Sequence, residues 1–137
     1  MKAELQEQLF NRFPWTRPND RESLMSQFGF AVGDGWYDLI EKLLSEIEGF
    51  YRAKGLEVKL ELAQVKEKFG ELRVYFHDGL DELFDLAIKY EELSKGVCYD
   101  CGKIGTHRRI GAWWITMCDP CVESRIADAK QRLDVRE

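Results

Sequence analysis

Apolar residues recur at helical spacing after the loop formed by Gly33 and Gly35. Side chains three or four positions apart share one side of an α-helix, so the pattern predicts an amphipathic helix that ends near Lys54. The opposite side carries charged residues and faces water. The predicted apolar face consists of Trp36, Leu39, Ile40, Leu43, Leu44, Ile47, Phe50 and Tyr51. We expect this helix, the longest in the chain, to form the spine of the core.

Shorter helices are predicted on both sides of it. The first spans residues 3–13 and ends at Pro14, because proline cannot continue a helix. The second begins after a cap at Asn19 or Asp20 and closes at Gly29. A later helix follows Asp78 and Gly79, and its apolar stripe comprises Leu80, Leu83, Phe84, Ala87, Tyr90 and Leu93.

Between these helices the apolar period changes from helical spacing to two. Alternation from Leu56 onward, and again as far as Phe76, predicts a β-hairpin with its turn at residues 68–71. The alternation breaks at Ala63, so we expect a bulge around residues 62–64. The intervening charged residues belong on the wet face of the hairpin.

The predicted fold class is α+β, with helices packed on a small antiparallel β-hairpin or sheet. Residues 1–94 are predicted to form the main body, and residues 95–137 a four-cysteine module that ends in a helix. Residues 94–96 form the joint between them.

The charge balance differs between the two parts. The 137-residue chain carries a net charge of -5. Residues 1–94 hold 12 Lys and Arg against 19 Asp and Glu, a net of -7, whereas residues 95–137 hold 8 against 6, a net of +2. The acidic excess argues against a surface built as a whole to bind a phosphate backbone.

The composition also bears on the compartment. The acidic, amphipathic N-terminal stretch lacks the features of a signal peptide, and no apolar run approaches the roughly 18 residues of a membrane span. We therefore expect a cytoplasmic protein without membrane contact. In that compartment thiols stay reduced, so clustered cysteines bind metal more often than they form disulfides.

All four cysteines lie near the C-terminus in two close pairs. Two residues lie between Cys98 and Cys101 and two between Cys118 and Cys121, and sixteen residues separate the pairs. This spacing is typical of a zinc site, because a tight turn can aim both thiolates of a pair at one ion. The sequence therefore predicts one structural Zn²⁺ per chain.

The residues beside the cysteines predict the shape of the module. Gly102 can adopt the left-handed conformation that closes the first turn. Asp119 is a candidate helix cap with Pro120 in the first turn, and residues 106–117 are typical of a hairpin. A two-ligand turn, a hairpin and a helix bearing two ligands resemble a treble-clef zinc finger, and a zinc ribbon is the alternative. The helix continues through Val122, Ile126, Ala129 and Leu133.

Other cysteine chemistries fit the pattern less well. The common iron–sulfur runs have different spacings, a thioredoxin-like pair belongs near a βαβ unit, and the histidine motif of zinc deaminases is missing. Four thiolates also close the coordination shell and leave no position for an activated water. We therefore expect a structural rather than a catalytic metal.

A nucleic-acid surface is the main alternative function for the module. Its candidate residues are Lys103, Arg108, Arg109, Trp113, Trp114 and Arg125. Basic residues could bind phosphates while an exposed tryptophan stacks on a base. The interpretation we favour is that one tryptophan packs inside the finger, the other packs against the body, and the charges are solvated.

Two further groups have the residue types of a catalytic site. His77 could act as a base, and Asp34, Asp38 and Glu41 could form a carboxylate pair. The favoured interpretations are a histidine at a strand end and acidic residues that favour the start of a helix. We expect no enzyme activity.

Three segments together carry a resemblance to a family. GDGWYDLI, QVKEKFGELRVYF and the paired cysteines, within residues 26–121, are similar to small uncharacterised proteins encoded by bacteriophages and prophages. The resemblance implies expression in the cytoplasm of a bacterial host and the metal-ligand role of the four cysteines, but no activity. The predicted function is a zinc-stabilised, non-enzymatic adaptor or modulator that acts on a host or phage protein. The alternative is a nucleic-acid-binding zinc-finger protein.

Overall fold

The computed structural model describes residues 1–136, and side chains as far as residue 134. This part of the chain forms five α-helices and two small sheets, which confirms the α+β class. Single turns of 3-10 helix occur at Pro14–Thr16, Asp34–Trp36 and Ser94–Gly96. In chain order the elements are α1 (Ala3–Arg12), α2 (Leu24–Phe28), β1 (Phe30–Ala31), α3 (Tyr37–Ala53), β2 (Glu61–Lys68), β3 (Glu71–His77), α4 (Asp81–Leu93), β4 (Thr106–Ile110), β5 (Trp113–Met117) and α5 (Asp119–Arg136).

The larger sheet has the strand order β1-β2-β3. β2 and β3 are antiparallel and joined by a turn in which Phe69 and Gly70 both have positive φ, 53° and 78°. That conformation matches the twist of a hairpin with a two-residue loop. The register shifts between Leu62 and Gln64, so the predicted turn and bulge are both confirmed.

Two local predictions about these elements were wrong, and one strand was not predicted at all. The hairpin begins at Glu61 rather than at Leu56, because residues 56–60 have no ladder partner. The cap of α2 is Ser23, whose hydroxyl accepts the Ser26 N–H, rather than Asn19 or Asp20. The sequence pattern also missed β1, which pairs in parallel with β2.

The core lies between the sheet and the apolar face of α3. Six side chains of α3 are buried: Leu39, Ile40, Leu43, Leu44, Ile47 and Tyr51. They belong to one cluster with Trp36 and with Leu72, Val74 and Val65 of the sheet. The predicted apolar face of α3 is therefore the one that packs, although Phe50 is only partly buried. The expectation that this helix is the longest was wrong, because α3 has 17 residues and α5 has 18.

Helix α4 runs along the outer edge of β3. Ser94 Oγ accepts the Leu72 N–H at 2.9 Å, and Glu91 Oε2 accepts the Val74 N–H at 3.1 Å. These side chains occupy edge groups that would otherwise be open to another strand. Burial raises the pKa of Glu91. The buried face of α4 is narrower than the sequence predicts: Leu83, Ala87 and Tyr90 are buried, whereas Leu80, Phe84 and Leu93 are exposed.

Among the described residues, every helix is either too short or too polar to span a membrane.

Candidate metal centre

The sulfur atoms of Cys98, Cys101, Cys118 and Cys121 all lie within 4.8 Å of one another. All four cysteines are free, and the Sγ atoms of Cys101 and Cys118 are 3.7 Å apart. Four sulfurs about 2.3 Å from one ion form a tetrahedron with edges of about 3.8 Å. The cluster therefore has the dimensions needed to hold a single metal ion.

The first cysteine pair is shaped by a tight backbone turn. The Cys98 N–H donates to the Lys103 carbonyl at 2.7 Å, and the Gly102 N–H donates to the Cys98 carbonyl at 3.0 Å. Gly102 has φ +80°, as the sequence predicts, and this left-handed conformation is open to glycine without strain. A bridge between Val97 and Ile104 closes the base of the turn.

The second pair lies where β5 passes into α5. The Val122 N–H donates to the Cys118 carbonyl at 3.1 Å, so Cys118 opens the helix and Cys121 lies in its first turn. The prediction that Asp119 caps this helix was wrong: the helix begins at Asp119 itself, and the Asp119 carboxylate accepts a hydrogen bond from Arg108. The hairpin expected between the pairs is confirmed by β4 and β5, which turn through Gly111 with φ +60°.

The four clustered thiols perturb one another's pKa values. Burial acts to raise the pKa of Cys98, but backbone hydrogen bonds from Cys101, Cys118 and Asp100 outweigh it and lower that pKa to about 6. The neighbouring Cys118 sulfur and burial raise the pKa of Cys121. The Cys98 thiolate therefore forms readily, whereas the neighbouring Cys121 thiol ionises less readily. A divalent cation would remove that repulsion.

Two ion pairs flank the cysteines. Arg125 of α5 donates to both carboxylate oxygens of Asp100, at 2.8 and 2.5 Å. Arg108 of β4 donates to Asp119 at 2.5 Å and to the Met117 carbonyl at 3.1 Å. Each aspartate lies between the two cysteines of a pair. The arginines thus tie each cysteine turn to an element on the other side of the cluster.

The loop before α3 lies directly against the first cysteine turn. The Gly35 N–H donates to the Tyr99 carbonyl at 3.0 Å, and Trp36 Nε1 donates to the Val97 carbonyl at 2.8 Å. A β-carbon on Gly35 would lie 2.1 Å from the Cys98 carbonyl oxygen. Glycine at position 35 therefore allows the backbone of this loop to lie directly against the backbone of the first cysteine turn. The Trp36 and Tyr99 rings meet edge to face at 4.9 Å.

The hairpin of the module rests on the turn between β2 and β3. The buried Thr116 hydroxyl donates to the Gly70 carbonyl at 2.6 Å. The hydroxyl group uses its single proton in this hydrogen bond to Gly70, so His107 Nδ1 is the donor in the 3.1 Å contact with Thr116 Oγ1. Trp114 stacks on the His107 ring at 4.9 Å. These contacts join the cysteine module to residues 1–94, and the division of the chain at residue 94 stays a prediction.

The residues predicted for nucleic-acid binding are divided between the two faces of the hairpin, the first cysteine turn and α5. Arg108 and Arg125 are engaged by aspartates. The cross-strand pairs place Arg109 with Trp114 on one face of the hairpin and Ile110 with Trp113 on the other. Lys103 is exposed in the first cysteine turn.

The favoured interpretation of the two tryptophans was wrong. Trp113 is 77% exposed and Trp114 is 41% exposed, so neither fills the interior of the module. The buried positions of the hairpin are instead Thr116 and Met117. The hairpin needs no aromatic core because it lies against Gly70 and the cysteine cluster.

The other residues considered for catalysis are dispersed. His77 is exposed at the end of β3, opposite Glu61. Asp34 accepts the Lys2 N–H at 2.8 Å, whereas Glu41 pairs with Arg12 at 2.6 Å.

Sequence reasoning missed the residues that support the centre. The sequence does contain a signal for the two ion pairs, because Asp100 and Asp119 each lie between the two cysteines of a pair. The glycines of GDGW were assigned only to a loop, although paired glycines before a buried tryptophan also indicate a close backbone approach.

Comparison with protein-family profiles, curated proteins and solved structures finds no match to this chain. The resemblance to phage and prophage proteins stays a prediction.

Proposed function

We propose that this protein is a zinc-stabilised, non-enzymatic interaction protein whose C-terminal module binds another protein. The observation that carries the proposal is the four-sulfur cluster at the base of a hairpin and a helix with exposed apolar side chains. In this proposal the metal organises the module, and the hairpin and helix make the contact.

Zinc is the metal that best suits the cluster. Four thiolates in a tetrahedral arrangement favour zinc or an iron–sulfur centre, and a paired two-residue spacing is typical of structural zinc. We assign one Zn²⁺ per chain and a treble-clef-like finger, on the support of the order of turn, hairpin and helix. A closed set of four sulfur ligands leaves the ion no open position for a substrate.

The support for a protein partner comes from the outward side of the module. Trp113 is 77% exposed, and it lines one groove together with the exposed Ile110 and Ile126, while Leu133 is exposed further along α5. Apolar side chains grouped in this way are typical of interaction surfaces. The resemblance to phage proteins leads us to propose a host or phage protein as the target, in the bacterial cytoplasm.

Nucleic-acid binding is the second candidate, and one pairing favours it. Arg109 and Trp114 lie opposite each other on the same hairpin face, with Trp114 stacked on His107. A basic residue beside an exposed ring suits a phosphate next to a base. This candidate requires binding that weakens steeply with salt and is lost in a variant that carries Arg109→Ala and Trp114→Ala.

Metal content is the primary test. We expect one zinc per chain in purified protein, measured by mass spectrometry of the elements. Chelation is expected to remove the hydrogen-exchange protection of β4, β5 and the first turn of α5. A Cys118→Ser and Cys121→Ser variant should behave like the chelated protein. Purified protein without metal, or with iron and sulfide, would contradict the zinc assignment.

The interaction itself is tested by cross-linking in the cell that expresses the protein. A Trp113→Ser variant, which keeps its zinc, should lose the cross-linked partner, and Trp114→Ser should retain it. The reverse pattern, together with salt-sensitive binding of single-stranded DNA or RNA, would support the nucleic-acid candidate instead.

A further inference from the structure

We infer that α5 and the groove beside it bind a second copy of this chain, with the two α5 helices antiparallel. The inference rests on the proposed function, because the cysteine cluster fixes the first turn of α5, and it takes a second copy of this chain, in place of a different host or phage protein, as the partner of this surface. The contact uses an α5 stripe, defined as Val122, Ile126, Ala129 and Leu133.

The α5 stripe is open over most of its length. Cys121 and Val122 are half-buried, but every side chain from Glu123 to Asp134 is exposed. Ile126 is 46% exposed and Leu133 is 62% exposed. Helices in proteins owe most of their stability to the packing of an apolar face, and beyond Val122 no side chain of α5 as far as Asp134 is buried by the chain itself. The stripe therefore requires a covering surface.

The spacing of the stripe fits another helix of the same sequence. Its members are four, three and four positions apart, which is the spacing of the core positions of a coiled coil. In an antiparallel pair Val122 faces Leu133 and Ile126 faces Ala129, and the two-fold axis repeats both layers. Each layer combines a larger side chain with a smaller one. A parallel pair would set Ala129 against itself and leave a gap.

The charges beside the stripe also favour the antiparallel pair. Antiparallel helices bring Glu123 next to Lys130 of the second copy, twice in the dimer. Parallel helices would bring Arg125 next to Lys130 of the second copy, which is a repulsive contact. The antiparallel pair also brings Arg125 near Arg132 of the second copy. Asp100 is the counter-ion of Arg125 in both arrangements, so the attractive contact between Glu123 and Lys130 decides between them.

A groove next to α5 extends the same surface. It has a volume of about 250 Å³ and is lined by Ile110, Trp113, Ile115, Val122 and Ile126 among others. In the antiparallel pair Leu133 of the second copy lies beside Val122, at this groove. Trp113 then covers Leu133 of the second copy. The arrangement accounts for the exposure of a tryptophan on the α5 side of the hairpin.

Sedimentation analysis of the full, zinc-containing chain tests the association. We expect twice the chain mass for the wild type. The double variant Ile126→Glu and Leu133→Glu should raise the dissociation constant by about tenfold or more and sediment as a monomer. The double variant Ser124→Glu and Gln131→Glu adds the same two charges to the same helix outside the stripe and should stay dimeric. A wild type that is monomeric while it holds zinc would overturn the inference.

A charge exchange tests the direction of the helices. Glu123→Lys and Lys130→Glu should each weaken the dimer, because each places like charges at the two contacts. A mixture of the two variants should form mixed dimers, in which both contacts are again of opposite charge. Failure of the mixture to associate, with wild-type dimers intact, would overturn the antiparallel arrangement.

These outcomes are separate from those that test the proposed function. Loss of the zinc assignment is detected by metal content before any sedimentation experiment. A zinc-containing monomer that is cross-linked to a different protein through Trp113 would leave the proposed function standing and remove the second copy as the partner.

Discussion

Arg125 holds Asp100 across the cysteine cluster through two hydrogen bonds, 2.8 and 2.5 Å long. Asp100 lies between Cys98 and Cys101, whereas Arg125 lies one turn after Cys121 on α5. The ion pair therefore connects the turn of the first two ligands to the helix of the last. A closed shell of four sulfurs depends on the relative position of these two elements, and the ion pair restrains that position in addition to any bound metal.

Replacement of Arg125 by Gln is expected to weaken zinc binding by about tenfold, in the range typical of residues that support metal ligands. The metal would then have to order α5 against the first turn without the ion pair. The measurement is a competition titration with a chromophoric chelator. Arg132→Gln removes the same charge further along α5 and should bind zinc as the wild type does. Equal affinities for both variants would show that the Asp100 contact does not support the site.

A second prediction concerns the contact between Gly35 and the first cysteine turn. Gly35→Ala should destabilise the fold by about 1–3 kcal/mol, because its β-carbon would overlap the Cys98 carbonyl and force the backbones apart. Gly49→Ala is the matched control. It lies within α3 with no atom within 4 Å of the added carbon, so it should stabilise by about 0.5–1 kcal/mol. Urea unfolding of both variants gives the comparison, and the same sign for both would contradict it.

The parts of the fold that the sequence predicts well have a regular period and a local cause. The face of α3 follows from its spacing, and the β2–β3 turn follows from two residues at the tip of an alternating run. The cysteine pairs are also local, since each pair needs only one turn. The sulfur cluster then follows from the need to join two such turns around one ion.

The parts it predicts poorly depend on contacts between distant segments. Strand β1 has two residues and exists because β2 offers an open edge. The exposure of Trp113 follows from the way the hairpin lies on Gly70, which no periodicity in residues 106–117 reports. The ion pairs of Arg108 and Arg125 also depend on such contacts. In the sequence these arginines look like any solvated surface charge, and only the folded chain places Asp119 and Asp100 beside them.

A third prediction concerns the contact between the hairpin and the β2–β3 turn. Thr116→Val keeps the shape of the side chain but leaves the Gly70 carbonyl without its donor, at a cost of about 1–3 kcal/mol. Thr106→Val is the control, because Thr106 is exposed on the same hairpin. Hydrogen exchange should show faster opening of β4 and β5 in Thr116→Val. Unchanged exchange there would mean that the cysteine cluster alone holds the hairpin.

The last prediction concerns Glu71, which pairs with Arg73 at 2.5 Å and with Lys95 at 3.1 Å. Burial acts to raise the pKa of Glu71, but the hydrogen bonds and charges of these two partners outweigh it and lower that pKa below its usual value of 4.5. A carboxyl group whose pKa falls on folding stabilises the native state above its unfolded pKa. That stabilisation is lost as the pH falls through the folded pKa.

Glu71→Gln is therefore expected to lower the free energy of unfolding by about 1 kcal/mol at neutral pH. The difference from wild type should shrink as the pH falls below about 4.5 and vanish once Glu71 is protonated. Urea unfolding of both proteins across this range is the measurement. Acid also protonates the cysteine thiolates, so Glu92→Gln, which removes a more exposed partner of Lys95, serves as control at each pH. A difference between Glu71→Gln and wild type that persists at low pH would assign the effect to packing of the side chain instead of its charge.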